Sequence, residues 1–197
     1  QTELKFLKSQ YHPHFLFNAL NTVYFQIDES NKAPRRTLEM ISELLRYQLY
    51  GGNQKVSILQ EIDYLKTYIA LRKLRMSERL RLRVEFPPEL NELNIYPLLF
   101  LPLVENAFKY VGGDYQLDII MKWENNRISL FIRNSIPELS AEDEVLRKSV
   151  DERQRKGTGL VNLRRRLSLL YPNKHRLETR KEETEFVAEL MIEIEEI

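Results

Sequence analysis

From Leu80 the hydrophobic period of this chain changes. Before it, apolar residues recur at spacings of three and four, as in Leu16, Leu20, Val23 and Ile27 and again in Leu38, Ile41 and Leu45, the pattern of helices with one buried stripe. After it they alternate, first in "LRLRVEF" at Leu80, Leu82, Val84 and Phe86, then in "LDIIMKW", "ISLFIRN" and "FVAELMIEI", the period of strands with one buried face. The switch predicts an α+β chain in two parts, a helical region over 1–78 and a mixed unit over 79–197, with helices on one face of the sheet as an α/β sandwich.

Punctuation residues divide the two parts further. "DESNKAP" ends the first helix, Pro34 is placed to begin the second, and Gly51-Gly52 ends that one, following the preference for proline at helix starts and glycine past their ends. The two helices form a hairpin too short to bury both stripes alone. It is expected to pair with its twin as a dimeric four-helix bundle. "SILQ" at Ser57–Gln60 is a capping box that opens a third helix, running to about Ser77. "PPELNELN" is a loop, and "YPLLFLPLVENAFKYVGG" is a helix opened by Pro97 or Pro102 and closed by Gly112-Gly113. Glu124-Asn125-Asn126-Arg127 is turn-like. Pro137 to Lys156 is charged and poorly periodic, and is expected to be a mobile loop. A last helix, Val161 to about Leu170, is stopped by Pro172.

Composition narrows the class. Thirty Lys and Arg against 29 Asp and Glu argue against a dedicated nucleic-acid surface. The absence of cysteine removes disulfides and thiolate metal sites. The longest apolar run, "YPLLFLPLV", carries two prolines and falls short of the roughly 18 residues a membrane helix needs. A soluble globular chain is expected. Because it opens in mid-pattern at Gln1, it reads as a piece of something longer, and any membrane segments would lie outside it.

Three segments carry candidate chemistry. In "QYHPHFLFNALN", Gln10, His14 and Asn18 are four apart and share a polar face, while Pro13 deletes an N–H and would bend the helix beside His14. The same residues also suit a kinked packing helix. In "VENAFKY", Asn106, Lys109 and Tyr110 fall on one side, with Val104, Phe108 and Val111 free to face a core. An amide oxygen beside an ammonium suits a magnesium-bound polyphosphate, although a solvated helix face looks the same. "GTGL" offers backbone N–H groups at a helix start, which can cradle phosphate or be a plain turn. The chain lacks a P-loop.

The order of these pieces, "QYHPHFLFNALN", "LPLVENAFKY" and "GTGLVNLRRRL", resembles the LytS-type sensor histidine kinases, in which a helical histidine segment precedes an ATP-binding domain of the GHKL (Bergerat) superfamily. The resemblance covers nearly the whole chain. It implies that His14, inside the "PHFLFN" match, is the phosphoacceptor, while His12 stands where the family usually has asparagine. It implies that Asn106 ligates magnesium, that Lys109 approaches phosphate with Tyr110 beside it, and that Gly157, Thr158, Gly159 and Leu160, with Asn162 behind, form the glycine box that closes on the phosphates. Glu105 then stands where it could orient the imidazole or take its proton, or simply pair with Lys109 one turn on. The implied cofactors are ATP and Mg²⁺. The implied partners are a second copy of the chain and a response-regulator receiver domain, at the cytoplasmic side of a membrane.

One motif departs from the family. Where the superfamily has aspartate-asparagine-glycine, this chain has "IRNSIP", so Asn134 stands for the aspartate that accepts the adenine amino hydrogen and Ile136 for the glycine. A neutral acceptor there costs about 1 kcal/mol, roughly fivefold in affinity. Three other readings stay open on these residues: a dimeric pseudokinase scaffold with weak nucleotide binding, a GHKL-type ATPase, and nucleic-acid binding through Arg164, Arg165 and Arg166. The ATPase reading is set back by Pro102, which occupies the place of the basic glutamate.

Overall fold

The computed structural model describes residues 13–50, 54–88, 90, 93–138 and 158–194. The α+β class expected from the change of period is what it contains.

Helices α1, Pro13–Gln26, and α2, Lys32–Tyr50, form the hairpin. Pro13 is the first described residue of α1. The bend expected beside His14 depends on the residues before it, which lie outside the described set. Between the helices, Asp28 Oδ1 accepts from both the N–H and the hydroxyl of Ser30, and Arg35 Nη2 donates to the Ile27 carbonyl at 2.9 Å. The hairpin is thin. No residue of α1 is buried, and Leu44 is the buried residue of α2. Val23, expected in the buried stripe, is 45% exposed, and Phe15 and Phe25 are more exposed still. A helix packed against one neighbour covers one side only.

Strand β1, Val56–Ser57, leads directly into α3, Ile58–Lys73. The capping box forms as read: Ser57 Oγ accepts from the Leu59 N–H, and Gln60 Oε1 accepts from the Ser57 N–H, each at 3.2 Å. Although the sequence groups α3 with the helices, its Ile58, Ile62, Leu65 and Ile69 lie in the same core as the sheet. Pairing of β1 with β3, Asn94–Ile95, at the end of the expected loop, ties the start of α3 to that unit.

The main sheet consists of β2 (Arg81–Glu85), β4 (Gln116–Glu124), β5 (Arg127–Ser135), β6 (His175–Lys181) and β7 (Glu185–Glu193). Its order is β2-β4-β5-β7-β6, with β2 parallel to β4 and the other pairs antiparallel. Asn125 and Asn126 both take positive φ between β4 and β5, and Glu124 pairs with Arg127. This is a two-residue hairpin whose backbone asparagine tolerates. One face presents Leu117, Ile119, Ile128, Leu130, Ile132, Leu190 and Ile192 to α3, α4 (Leu101–Tyr110) and α5 (Thr158–Leu170). The other face is laced by ion pairs, among them Arg133 with Asp118 and Arg176 with Glu178, each at 2.7 Å. Among the described residues no helix is long and apolar enough to cross a membrane.

Candidate functional site

Three elements converge on the helix-covered face of the sheet. α4 packs on β4 and β5, and α5 packs on α4 and β6. Pro102 is in the first turn of α4, and Leu101, Leu103, Val104, Ala107 and Phe108 are buried. That packing turns the rest of the helix outward, so Asn106 and Tyr110 are half-buried and Lys109 is exposed, with Lys109 Nζ 4.9 Å from the Tyr110 ring centre. Past the helix, Gly113 takes φ +59° and lies against Ile136, where a side chain would meet the Ile136 carbonyl at 3.0 Å. Only glycine fits that turn without strain. Ser135 Oγ donates to the Gly112 carbonyl at 2.6 Å and accepts from the Gln116 N–H, fastening the turn to the end of β5.

At that end Asn134 is fully buried. It is on the same face of β5 as Ile132 and Leu130, under α4. Its Nδ2 donates to the Ser135 carbonyl at 3.2 Å, and its Oδ1 is buried without a hydrogen-bond partner among the described residues. A buried acceptor left unmatched costs about 1–3 kcal/mol, so this oxygen is suited to receive an N–H from a ligand. At the start of α5 a side chain added at Gly159 would meet nothing within 4 Å among the described residues. Leu160 packs against the core while Asn162 is exposed. Gly157 lies outside the described residues; α5 opens at Thr158.

His14 is apart from this cluster. It is exposed on α1, with Asn18 Nδ2 3.1 Å from its Nδ1. The contact bears out their shared face, whereas Gln10 and His12 are outside the described residues. In this contact the amide Nδ2 donates to Nδ1, which makes Nδ1 the unprotonated nitrogen of the neutral ring. α1 packs on α2, α2 on α3, and α3 on α4. Glu105 faces α3 rather than Lys109. Partial burial pushes its carboxyl above the usual range, and Arg72 of α3 opposes that shift.

Residues 2–80 match the family model described as histidine kinase, nearly the stretch the sequence sets apart as helical. The chain is 29% identical over 180 residues to the sensor protein kinase HptS of Staphylococcus aureus, a match covering 89% of this chain and 35% of that protein. Both point to histidine kinases as what this chain is similar to. It spans about a third of the length of the curated relatives it matches. In fold it is similar to the histidine kinase domain of the blue-light activated histidine kinase EL346 of Erythrobacter litoralis, with a TM-score of 0.51, 14% identity, and 98% and 96% of the two chains covered. This likeness to a histidine kinase domain agrees with the α+β architecture of hairpin and helix-covered mixed sheet.

One buried acid escaped the sequence reading. Glu61 of α3 is fully buried. Its Oε2 accepts from the Tyr47 hydroxyl of α2 at 2.7 Å and from the Leu98 N–H at 2.9 Å. The N–H groups of Leu99 and Phe100, at the entry to α4, also lower its pKa, but burial outweighs all four partners and pushes the carboxyl up. Its other oxygen lacks a partner in hydrogen-bond geometry among the described residues. Leu98 takes φ +58°, a left-handed conformation costing a bulky residue about 1–2 kcal/mol. Arg166 of α5 holds it there, donating to the carbonyls of Pro97 at 2.7 Å and Leu98 at 3.3 Å. The signal in the sequence was Glu61 itself, which falls in the stripe Ile58, Leu65 and Ile69 where an exposed acid has no place.

Proposed function

We propose that this chain is the catalytic region of a two-component sensor histidine kinase that transfers the γ-phosphoryl group of ATP to His14 and then to an aspartate of a response-regulator receiver domain. The observation that carries the nucleotide reading is the buried, unpartnered Asn134 oxygen beneath α4. In this reading it accepts the adenine amino hydrogen. Asn106 supplies an oxygen to Mg²⁺, Lys109 and Tyr110 line the phosphates, and the N-terminus of α5, from Gly157 through Gly159 and Leu160 with Asn162 behind, closes on them. Magnesium, when bound, offsets charge on the phosphoryl oxygens, with most of its ligands drawn from phosphate and water.

The unprotonated ring nitrogen of His14 attacks the γ-phosphorus in line. The bond to the bridging oxygen breaks, and ADP leaves with that oxygen. Glu105 orients the imidazole or takes its proton, and the raised pKa of its carboxyl brings it nearer to an imidazole's, which suits proton exchange. The exposed apolar residues of the hairpin support its pairing with a second copy. The full-length protein would be held at the cytoplasmic side of a membrane by segments outside this chain. Nucleic acid is not the partner we propose, because Arg164 donates to the Leu177 carbonyl and Arg166 to those of Pro97 and Leu98, which leaves little of the arginine run for phosphate.

A second reading rests on Ile136, buried where the family has glycine, with its N–H on the Thr184 carbonyl at 2.8 Å. In that reading the chain is a dimeric pseudokinase scaffold. Calorimetry separates the two. Mg²⁺-dependent ATP binding that weakens about tenfold or more in Asn106→Ala, roughly 1.4 kcal/mol, is expected of the kinase. No heat at millimolar ATP would leave the scaffold.

A further inference from the structure

Deepening that reading, and resting on it, we propose that Glu61 is a positioning residue that joins the histidine-bearing hairpin to the first turn of the magnesium-binding helix. Both halves of the joint meet on one atom. Glu61 Oε2 takes the Tyr47 hydroxyl from α2 and the Leu98 N–H at the entry to α4, so neither can shift without disturbing the other's hydrogen bond. Phe100, just before α4, has no side-chain cap of its own, and the buried carboxylate takes over that task from a neighbouring helix, next to N–H groups that favour negative charge.

The surroundings fix the geometry. Leu98 is held left-handed between Glu61 on its N–H and Arg166 on its carbonyl. The Tyr47 ring stacks on Tyr64, one turn from Glu61, with centres 4.6 Å apart. Leu44 and Leu101 pack with Tyr64 in a small cluster separate from the main core, so α2, α3 and the first residue of α4 share apolar contacts around the polar joint. A displacement of the end of α2 is therefore transmitted to the start of the helix that carries Asn106, and ordering of α4 by nucleotide returns to α2 through the same atom. Coupling between sites is reciprocal.

Gln48 offers a control. Its Nε2 donates to the Tyr64 hydroxyl at 2.6 Å, across the same contact between helices but not through Glu61. Hydrogen exchange would be followed with and without Mg-ATP in the unmodified chain, in Tyr47→Phe and in Gln48→Ala, with thermal melts confirming that each folds. In the unmodified chain Mg-ATP should slow exchange in both α4 and the Leu44–Gln48 segment, by about threefold or more. Tyr47→Phe should keep the α4 response and lose that of α2, while Gln48→Ala keeps both. Persistence of the α2 response in Tyr47→Phe, or its loss in Gln48→Ala as well, would overturn the joint. Binding of Mg-ATP without any α2 response would overturn it and spare the kinase reading, whereas no binding at all would overturn both.

Discussion

Two buried polar side chains at the residue scale, Asn134 and Glu61, stand out because each keeps an oxygen without a partner among the described residues. They differ in what the sequence could say. Asn134 was marked by its place after a strand in "IRNSIP", although its unmatched oxygen depends on packing under α4. Glu61 was hidden, since its partners Tyr47 and Leu98 are 14 and 37 positions away, and no local pattern encodes such pairings. Replacing Asn134 by Ala should weaken Mg-ATP binding about fivefold, the value of one neutral hydrogen bond; calorimetry giving unchanged affinity would remove it from the site. Glu61 makes a pH prediction. Its folded pKa lies above the usual 4.5, so the native state holds that proton more tightly than the unfolded chain does. Its contribution is most favourable below the unfolded value and declines as pH rises through the raised folded one. Urea titrations should therefore show Glu61→Gln gaining on the unmodified chain as pH rises above about 4.5. A stability difference that ignores pH would contradict the raised pKa.

At the scale of elements, what could be read from sequence followed the strength of the local signal. The capping box of α3, the asparagine hairpin between β4 and β5, and the alternating β4, β5 and β7 were all legible because neighbours in sequence make them. β6 was not. Its "HRLETRK" has Leu177 as its one buried residue, as befits a charged edge strand. β1 and β3, two residues each, exist through pairing across the interval between them and leave no periodic trace. The hairpin shows the converse case, a strong pattern without enough surface to satisfy it. Phe15, Val23 and Phe25 of α1 are exposed in the single chain, so light scattering is expected to find a dimer. Substituting Leu16 and Leu20 together by Asp should give monomers or a melted hairpin, because each buried unpaired charge would cost several kcal/mol. A monomeric unmodified chain at high concentration would count against the bundle.

For the whole molecule, the chain consists of a thin hairpin carrying an exposed histidine and a sheet unit carrying a buried, unmatched acceptor, connected through α2, α3 and α4. The kinase account requires that phosphate cross from one to the other. The direct test is incubation with γ-labelled ATP and magnesium, followed by acid and base treatment. The account predicts a phosphoramidate, labile to acid and stable to base, that is lost in His14→Gln while Mg-ATP affinity is kept, and mostly retained in His12→Gln. Label that survives in His14→Gln, or none in a chain that binds Mg-ATP well, would contradict it.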